Sequence, residues 1–165
     1  MKLKAKEGGK IAEGEILLQE EIVDGVEINE KILKTIKAPI SGKVMLVDEV
    51  TAGIEYEAEG VGVENIVGGN KWANGIIRID SWREVTQDKV EKKLVLMENP
   101  ESVVVAKCEA LGAVGVIIKK GVKIESWMTA VVVSENEWHK IVAESDKWRK
   151  VWIDEAGLRL LKVRL

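Results

Sequence analysis

Side chains suited to acid–base, nucleophilic or metal chemistry are scarce in this sequence. The 165 residues include one histidine, His139, and one cysteine, Cys108. A single cysteine excludes an internal disulfide and every multi-cysteine metal site. One histidine leaves little for a zinc centre or a Ser/His/Asp triad. Carboxylates are the opposite case: there are 28, among them Glu20/Glu21, Asp154/Glu155 and the alternating row Glu55, Glu57, Glu59. A glycosidase needs only two carboxyls at the right separation, but at this density chance pairs are unavoidable. Alternation at the period of a strand reads as one solvated face. Cys108 stands mid-helix among apolar residues and reads as a buried thiol. His139 follows Trp138 on an amphipathic helix, where a surface position is expected, and no nucleophile motif accompanies it. Taken together, these residues argue against an enzyme and imply no cofactor and no metal.

The more distinctive chemistry is aromatic. The chain has six Trp, one Tyr and no Phe, and Trp127, Trp138, Trp148 and Trp152 crowd into its C-terminal portion. Trp148 and Trp152 are interleaved with Lys147, Arg149 and Lys150. Such a segment suits a protein interface or the stacking of single-stranded bases, while core filling in place of Phe is the structural alternative. Trp127, Trp138, Trp148, Arg149 and Trp152 are therefore the candidate contact residues. Net charge is −3, divided as −5 over residues 1–86 and +2 over 87–165. Neither part has the excess of a nucleic-acid footprint, so a protein partner or a homo-oligomer is the favoured contact. Dense mixed charge with little proline is common in heat-adapted proteins.

The elements that must position these residues change character along the chain. Up to about residue 80, glycines at Gly8-Gly9, Asp24-Gly25, Ser41-Gly42, Gly60, Gly62, Gly68-Gly69 and Gly75 punctuate short strand-like segments. "EILLQEEIVDGVEINEKILKTIKAP" predicts a hairpin turning at Asp24-Gly25, a dipeptide that tolerates the positive φ of a type I′ turn. "GVGVENIVGG" lacks the lysine of a phosphate loop and has no helix after it. From about Lys89 the texture is α/β. "KKLVLM" predicts a strand. "NPESVVVAKCEALG" predicts a helix capped by Asn99, with Pro100 at its first position and Gly112 at its end. "AVGVIIKK" is a second buried strand, parallel to the first. "MTAVVVS" is a strand, and Ser134 with Glu137 forms a capping box for a helix that turns Trp138, Ile141 and Val142 inward. Val151/Ile153 and Leu158/Leu160 predict a closing hairpin around Glu155-Ala156-Gly157. Apolar runs reach only about four residues, against the roughly 20 of a membrane helix. No signal-peptide core follows "MKLKAKEGGK", so a cytoplasmic location is expected.

Two stretches resemble known families. "GEILLQEE" together with "IKAPISGKV" resembles the barrel-sandwich hybrid of biotinyl/lipoyl carrier domains, over residues 10–50. That resemblance implies a modifiable lysine at a hairpin tip; Lys31, eleven residues before Gly42, is the position it points to. Asn29 and Glu30 precede Lys31, so the family's usual modification motif is missing. Lys93–Met97, Lys107, Ala110–Ile118 and Ala130–Ser134 resemble, in order, the protease-associated (PA) domain and the wider swivelling β/β/α group, a resemblance that with the flanking strands spans residues 75–160. This second resemblance implies a non-catalytic domain that binds peptides or partners.

The expectation is an α+β protein: a glycine-rich β-sandwich or barrel over residues 1–85, then a swivelling β/β/α-like portion over 86–165, the two packing as separate domains or as one continuous core. The expected function is a non-catalytic protein-binding or scaffold role in a soluble cytoplasmic complex. The alternatives are a biotin/lipoyl-type carrier using Lys31 and a weak single-stranded nucleic-acid binder using the basic, Trp-rich C-terminal segment.

Overall fold

The computed structural model describes residues 2–3, 9–12, 15–22, 32–37, 42–46, 52–55, 58–124 and 126–163. The chain divides into two compact units, Met1–Glu57 with Leu165, and Ala58–Arg164. Both are sheet-rich, and among the described residues the helices lie in the second, so the protein is a mixed α+β chain. The change of sequence texture near residues 80–90 and the 85/86 division read from it fall inside the second unit.

The first unit contains β1 (Lys2–Leu3), β2 (Lys10–Ile11), β3 (Ile16–Ile22), β4 (Ile32–Lys37), β5 (Gly42–Leu46) and β6 (Ala52–Glu55). They form two antiparallel three-stranded sheets, ordered β1-β3-β4 and β2-β5-β6. β3 and β4 pair from Ile22↔Ile32 to Ile16↔Lys37 and are the arms of the expected hairpin. Its tip at Asp24-Gly25 lies outside the described residues, as do Lys31 and Pro39. Gly42, read as part of a turn, is instead the first residue of β5, where it pairs with Ile11.

The second unit begins with β7 (Ala58–Gly62), β8 (Asn65–Val67), β9 (Lys71–Ala73) and β10 (Ile76–Arg78). There follow α1 (Gln87–Val90), β11 (Leu94–Leu96), α2 (Ser102–Ala110), β12 (Gly115–Lys119), β13 (Thr129–Val133), α3 (Glu135–Glu144), β14 (Val151–Asp154) and β15 (Arg159–Val163). The central sheet runs β10-β11-β12-β13-β8, with its first four strands parallel and β8 antiparallel at the edge. Parallel strands are stable when both faces are covered, and such strands read as near-continuous apolar runs. Leu94–Leu96 and Gly115–Ile118 are buried without interruption, as that rule requires.

Alternation of side chains across the pleat divides these strands between two cores. Val95, Met97, Val116 and Ile118 pack with Val85, Val90, Val104, Val105, Cys108 and Met128, so the segments joining the parallel strands cover one face. Leu94, Leu96, Ile117, Val131 and Val133 pack on the other face with Ala73, Val151, Ile153 and Leu160. Those partners belong to a second, antiparallel sheet ordered β7-β15-β14-β9. The unit is therefore layered as antiparallel sheet, central sheet, then α1 and α2. Residues 58–80 supply β7 and β9 to one sheet and β8 and β10 to the other, which explains why they fold with the C-terminal sequence.

Local expectations succeed where the cap chemistry is unambiguous. Ser134 caps α3, its Oγ accepting from the Glu137 amide at 3.3 Å. The β14–β15 hairpin closes with the Gly157 amide donating to Asp154 Oδ1 at 3.0 Å. Gly112 ends α2 with φ +83°, the left-handed conformation glycine adopts freely. The start of α2 is different from that read in the sequence. Glu101, with φ −72° and ψ 135°, is still extended and is the cap residue, so Asn99 and Pro100 lie before the helix. Gly115 admits the neighbouring strand closely: a Cβ there would collide with the Thr129 carbonyl oxygen.

Candidate functional site

Among the described residues, α2 carries the surface least explained by its own fold. Val104, Val105 and Cys108 face the core, and a surface helix would normally turn polar residues outward. Val103, Ala106 and Ala110 point to solvent instead, with Val103 63% exposed. Two tryptophans flank this apolar ridge. Trp82, 53% exposed, lies beside Lys107, whose Nζ sits 5.1 Å from the indole centroid and donates to the Trp82 carbonyl at 3.0 Å. Arg83 stands 6.0 Å from the same ring. On the other side Trp127 is 95% exposed and, with Ala106, Glu109 and Ser126, lines an open depression of about 490 Å³. Ser126 Oγ donates to Glu109 Oε2 at 3.4 Å and accepts from the Met128 amide at 3.0 Å, which holds the segment carrying Trp127 against α2. Tryptophan is among the residue types most enriched at the centres of protein interfaces.

A second constellation lies at the carboxyl ends of the parallel strands, where open α/β sheets commonly bind ligands. Arg78 Nε meets Asp80 at 2.9 Å, and its Nη2 approaches Glu98 at 3.9 Å. Lys119 Nζ joins Glu98 at 2.9 Å and Glu135 at 3.0 Å, and lies 5.4 Å from the Trp138 ring centroid. His139 Nε2 is 3.7 Å from Glu135 Oε1. The Glu98 carboxyl is held below the usual carboxylate range, chiefly by its hydrogen bond from Lys119. The Lys119 ammonium is pushed up by the bonds to Glu98 and then Glu135. Each cation already has carboxylate partners, so the row joins the ends of β10, β11, β12 and β13 electrostatically.

The tryptophans singled out in the sequence do not form one surface. Trp127 is the most exposed, whereas Trp138 and Trp148, 3% and 4% exposed, fill the core between the two sheets. For those two, the core-filling alternative replaces the contact role: α3 turns Trp138 inward, and Trp148 packs beside Ile76 and Val151. Trp152 is half-buried and pairs with Trp72 at 4.9 Å between centroids, tilted by 44°. Arg149 is exposed, but its neighbour Lys150 is buried, with Nζ donating to Asn74 Oδ1 at 3.0 Å. Within "KWRKVW", Trp148, Lys150 and Val151 are buried and Trp152 is half-buried, so the segment does not present a continuous basic aromatic face. Cys108 is buried and its thiol is pushed up by desolvation, as expected of a structural cysteine. His139 is on the surface.

Trp82 and Val103 were not singled out in the sequence. The available signal was the composition of "SVVVAKCEA", apolar around its whole circumference. Among the described residues, no group of three or more His, Cys, Asp or Glu side chains is arranged to hold a metal ion, and no helix is long and apolar enough to cross a membrane. The sequence matches no protein-family model and no curated relative.

Proposed function

We propose that this protein is a non-catalytic protein-binding module of a soluble cytoplasmic complex, and that it docks through the outer face of α2. The observation that carries this reading is the apolar ridge Val103–Ala106–Ala110 with Trp82 and Trp127 exposed on its two flanks. Contiguous exposed apolar surface rimmed by polar groups is characteristic of interaction sites. The layering of antiparallel sheet, central sheet and helices supports the finer assignment to the swivelling β/β/α architecture, and with it the PA-like, non-catalytic role that the resemblance implies. In the first unit, the two antiparallel three-stranded sheets support a sandwich-type arrangement.

The test is comparative recovery of bound polypeptides from the source cells, using the full chain and its Val103→Asp and Trp127→Ala variants. Both positions are surface sites, so the variants keep the native circular dichroism spectrum. The reading expects partners retained by the full chain to be lost with both variants. Retention unchanged in both would reject it.

A further inference from the structure

We infer that the partner on the outer face of α2 is a second copy of this chain, paired about a two-fold axis that runs along the helix; this rests on the docking reading of that face. The first support is charge. Arg83 and Lys107 gather around Trp82, whereas Glu109 stands with Trp127. Glu84, next to Arg83, is turned into its own loop, accepting from the Asp80 amide at 3.3 Å and Ser81 Oγ at 3.5 Å, which leaves Arg83 and Lys107 as the charges beside Trp82. A helix advances about 100° per residue, which places Lys107 and Glu109 roughly 160° apart, one on each side of the exposed ridge.

A two-fold axis along the ridge lays the basic flank of each copy over the acidic flank of the other. Lys107 and Arg83 then meet Glu109 twice, by symmetry. An axis across the helix would instead set basic against basic and acidic against acidic, and like charges across an interface are strongly unfavourable. The charge pattern therefore selects parallel pairing of the two α2 helices. Ala106 and Ala110 on the ridge are small enough to let the helices approach closely.

Shape and area agree with that pairing. The depression of about 490 Å³ lined by Ala106, Glu109, Ser126 and Trp127 lies on the acidic flank. Parallel pairing brings to it the half-exposed indole of Trp82 from the other copy, the side chain that projects from the basic flank. Taking about 250 Å² for a whole tryptophan, the exposed parts of Trp127, Trp82 and Val103 come to roughly 450 Å² per copy. A standard interface buries about 800 Å² per partner, so these three side chains supply a full apolar centre and the charged flanks supply the polar rim.

Sedimentation equilibrium of the full chain over a concentration series tests the inference, with Glu109→Lys, Lys107→Glu, the double reversal and Val103→Asp measured alongside. The expected result is a dimer whose dissociation constant rises about tenfold or more in each single reversal and returns toward the wild-type value in the double reversal, since the reversed charges again face opposite partners. Val103→Asp, which buries an unpaired charge in the centre, is expected to be monomeric. A monomeric wild-type chain overturns the inference, as does a double reversal no tighter than the single ones. If the wild-type chain is monomeric yet its capture of other polypeptides still requires Trp127, the second copy is rejected and the docking face stands. If that capture is also indifferent to Trp127, both fall.

Discussion

Trp138→Ala and Trp127→Ala, compared in the same unfolding experiment, separate the tryptophans that build the fold from those available for contact. Trp138 is 3% exposed, packs in the core between the two sheets, and has Lys119 over its ring at 5.4 Å. Truncating a buried tryptophan removes its transfer free energy and leaves a cavity, for a combined cost of about 3–5 kcal/mol. Domains of this size are stable by only about 5–15 kcal/mol, so the loss is a large fraction of the total. Trp127 is 95% exposed, and truncation at such a site changes stability by about 0.5 kcal/mol or less. Urea unfolding followed by far-UV circular dichroism reads both values as midpoint shifts at constant slope. A Trp138→Ala variant within about 0.5 kcal/mol of wild type would refute the assignment of that residue to the core. A loss above about 1 kcal/mol in Trp127→Ala, measured on the monomer, would show that its ring supports the fold.

Three further outcomes follow from individual contacts. Ser134→Ala removes the acceptor for the Glu137 amide at the start of α3, and a loss of about 0.5–2 kcal/mol in urea unfolding is expected; no change would mean that the cap is redundant. Cys108 is buried with its thiol pushed up by desolvation, so a thiol reagent should label it only as fast as the surrounding core opens, and immediate stoichiometric labelling of the native protein would contradict that placement. The Glu98 carboxyl is lower in the folded chain than in the unfolded one because of Lys119. Its stabilisation is therefore present above the ordinary carboxylate pKa and lost as pH falls through the lower folded value. Lys119→Met should make stability fall less steeply over that acidic window, and an unchanged pH profile would show that the bridge contributes nothing.

Much of the second unit is legible in its sequence because its signals are local. The apolar runs at Leu94–Leu96 and Val116–Ile118, with the glycine stop at Gly112 between them, specify a βαβ unit. Ser134 and Glu137 mark the next helix, and the spacing around Gly157 marks the final hairpin. The association of residues 58–80 with the C-terminal sequence is not local: β7 pairs with β15 and β9 with β14, across most of the unit. Nothing within "AEGVG" or "KWA" announces those partners, so the division of the chain was displaced toward the change in texture.

Burial of the tryptophans is obscured for a similar reason. Trp148 and Trp152 occur in one basic segment, but Trp148 precedes β14 and is covered between the two sheets, whereas the pleat of β14 turns Trp152 to the face opposite buried Val151 and Ile153. The signal for the α2 face was present and of another kind. A nine-residue helix with valine or alanine on every side can hide only part of that surface against its own sheet, and the remainder, Val103, Ala106 and Ala110, is left exposed.

Oxidative cross-linking of cysteine reporters introduced one at a time on that remainder tests the claim most directly, because native Cys108 is buried and silent. Val103→Cys and Ala110→Cys each lie on the ridge that the two-fold axis follows. The account predicts that each forms a symmetric disulfide-linked dimer in the folded protein, while Leu158→Cys, exposed on a distant turn, does not. Failure of both ridge positions to link, or linkage no greater than at Leu158→Cys, would contradict it.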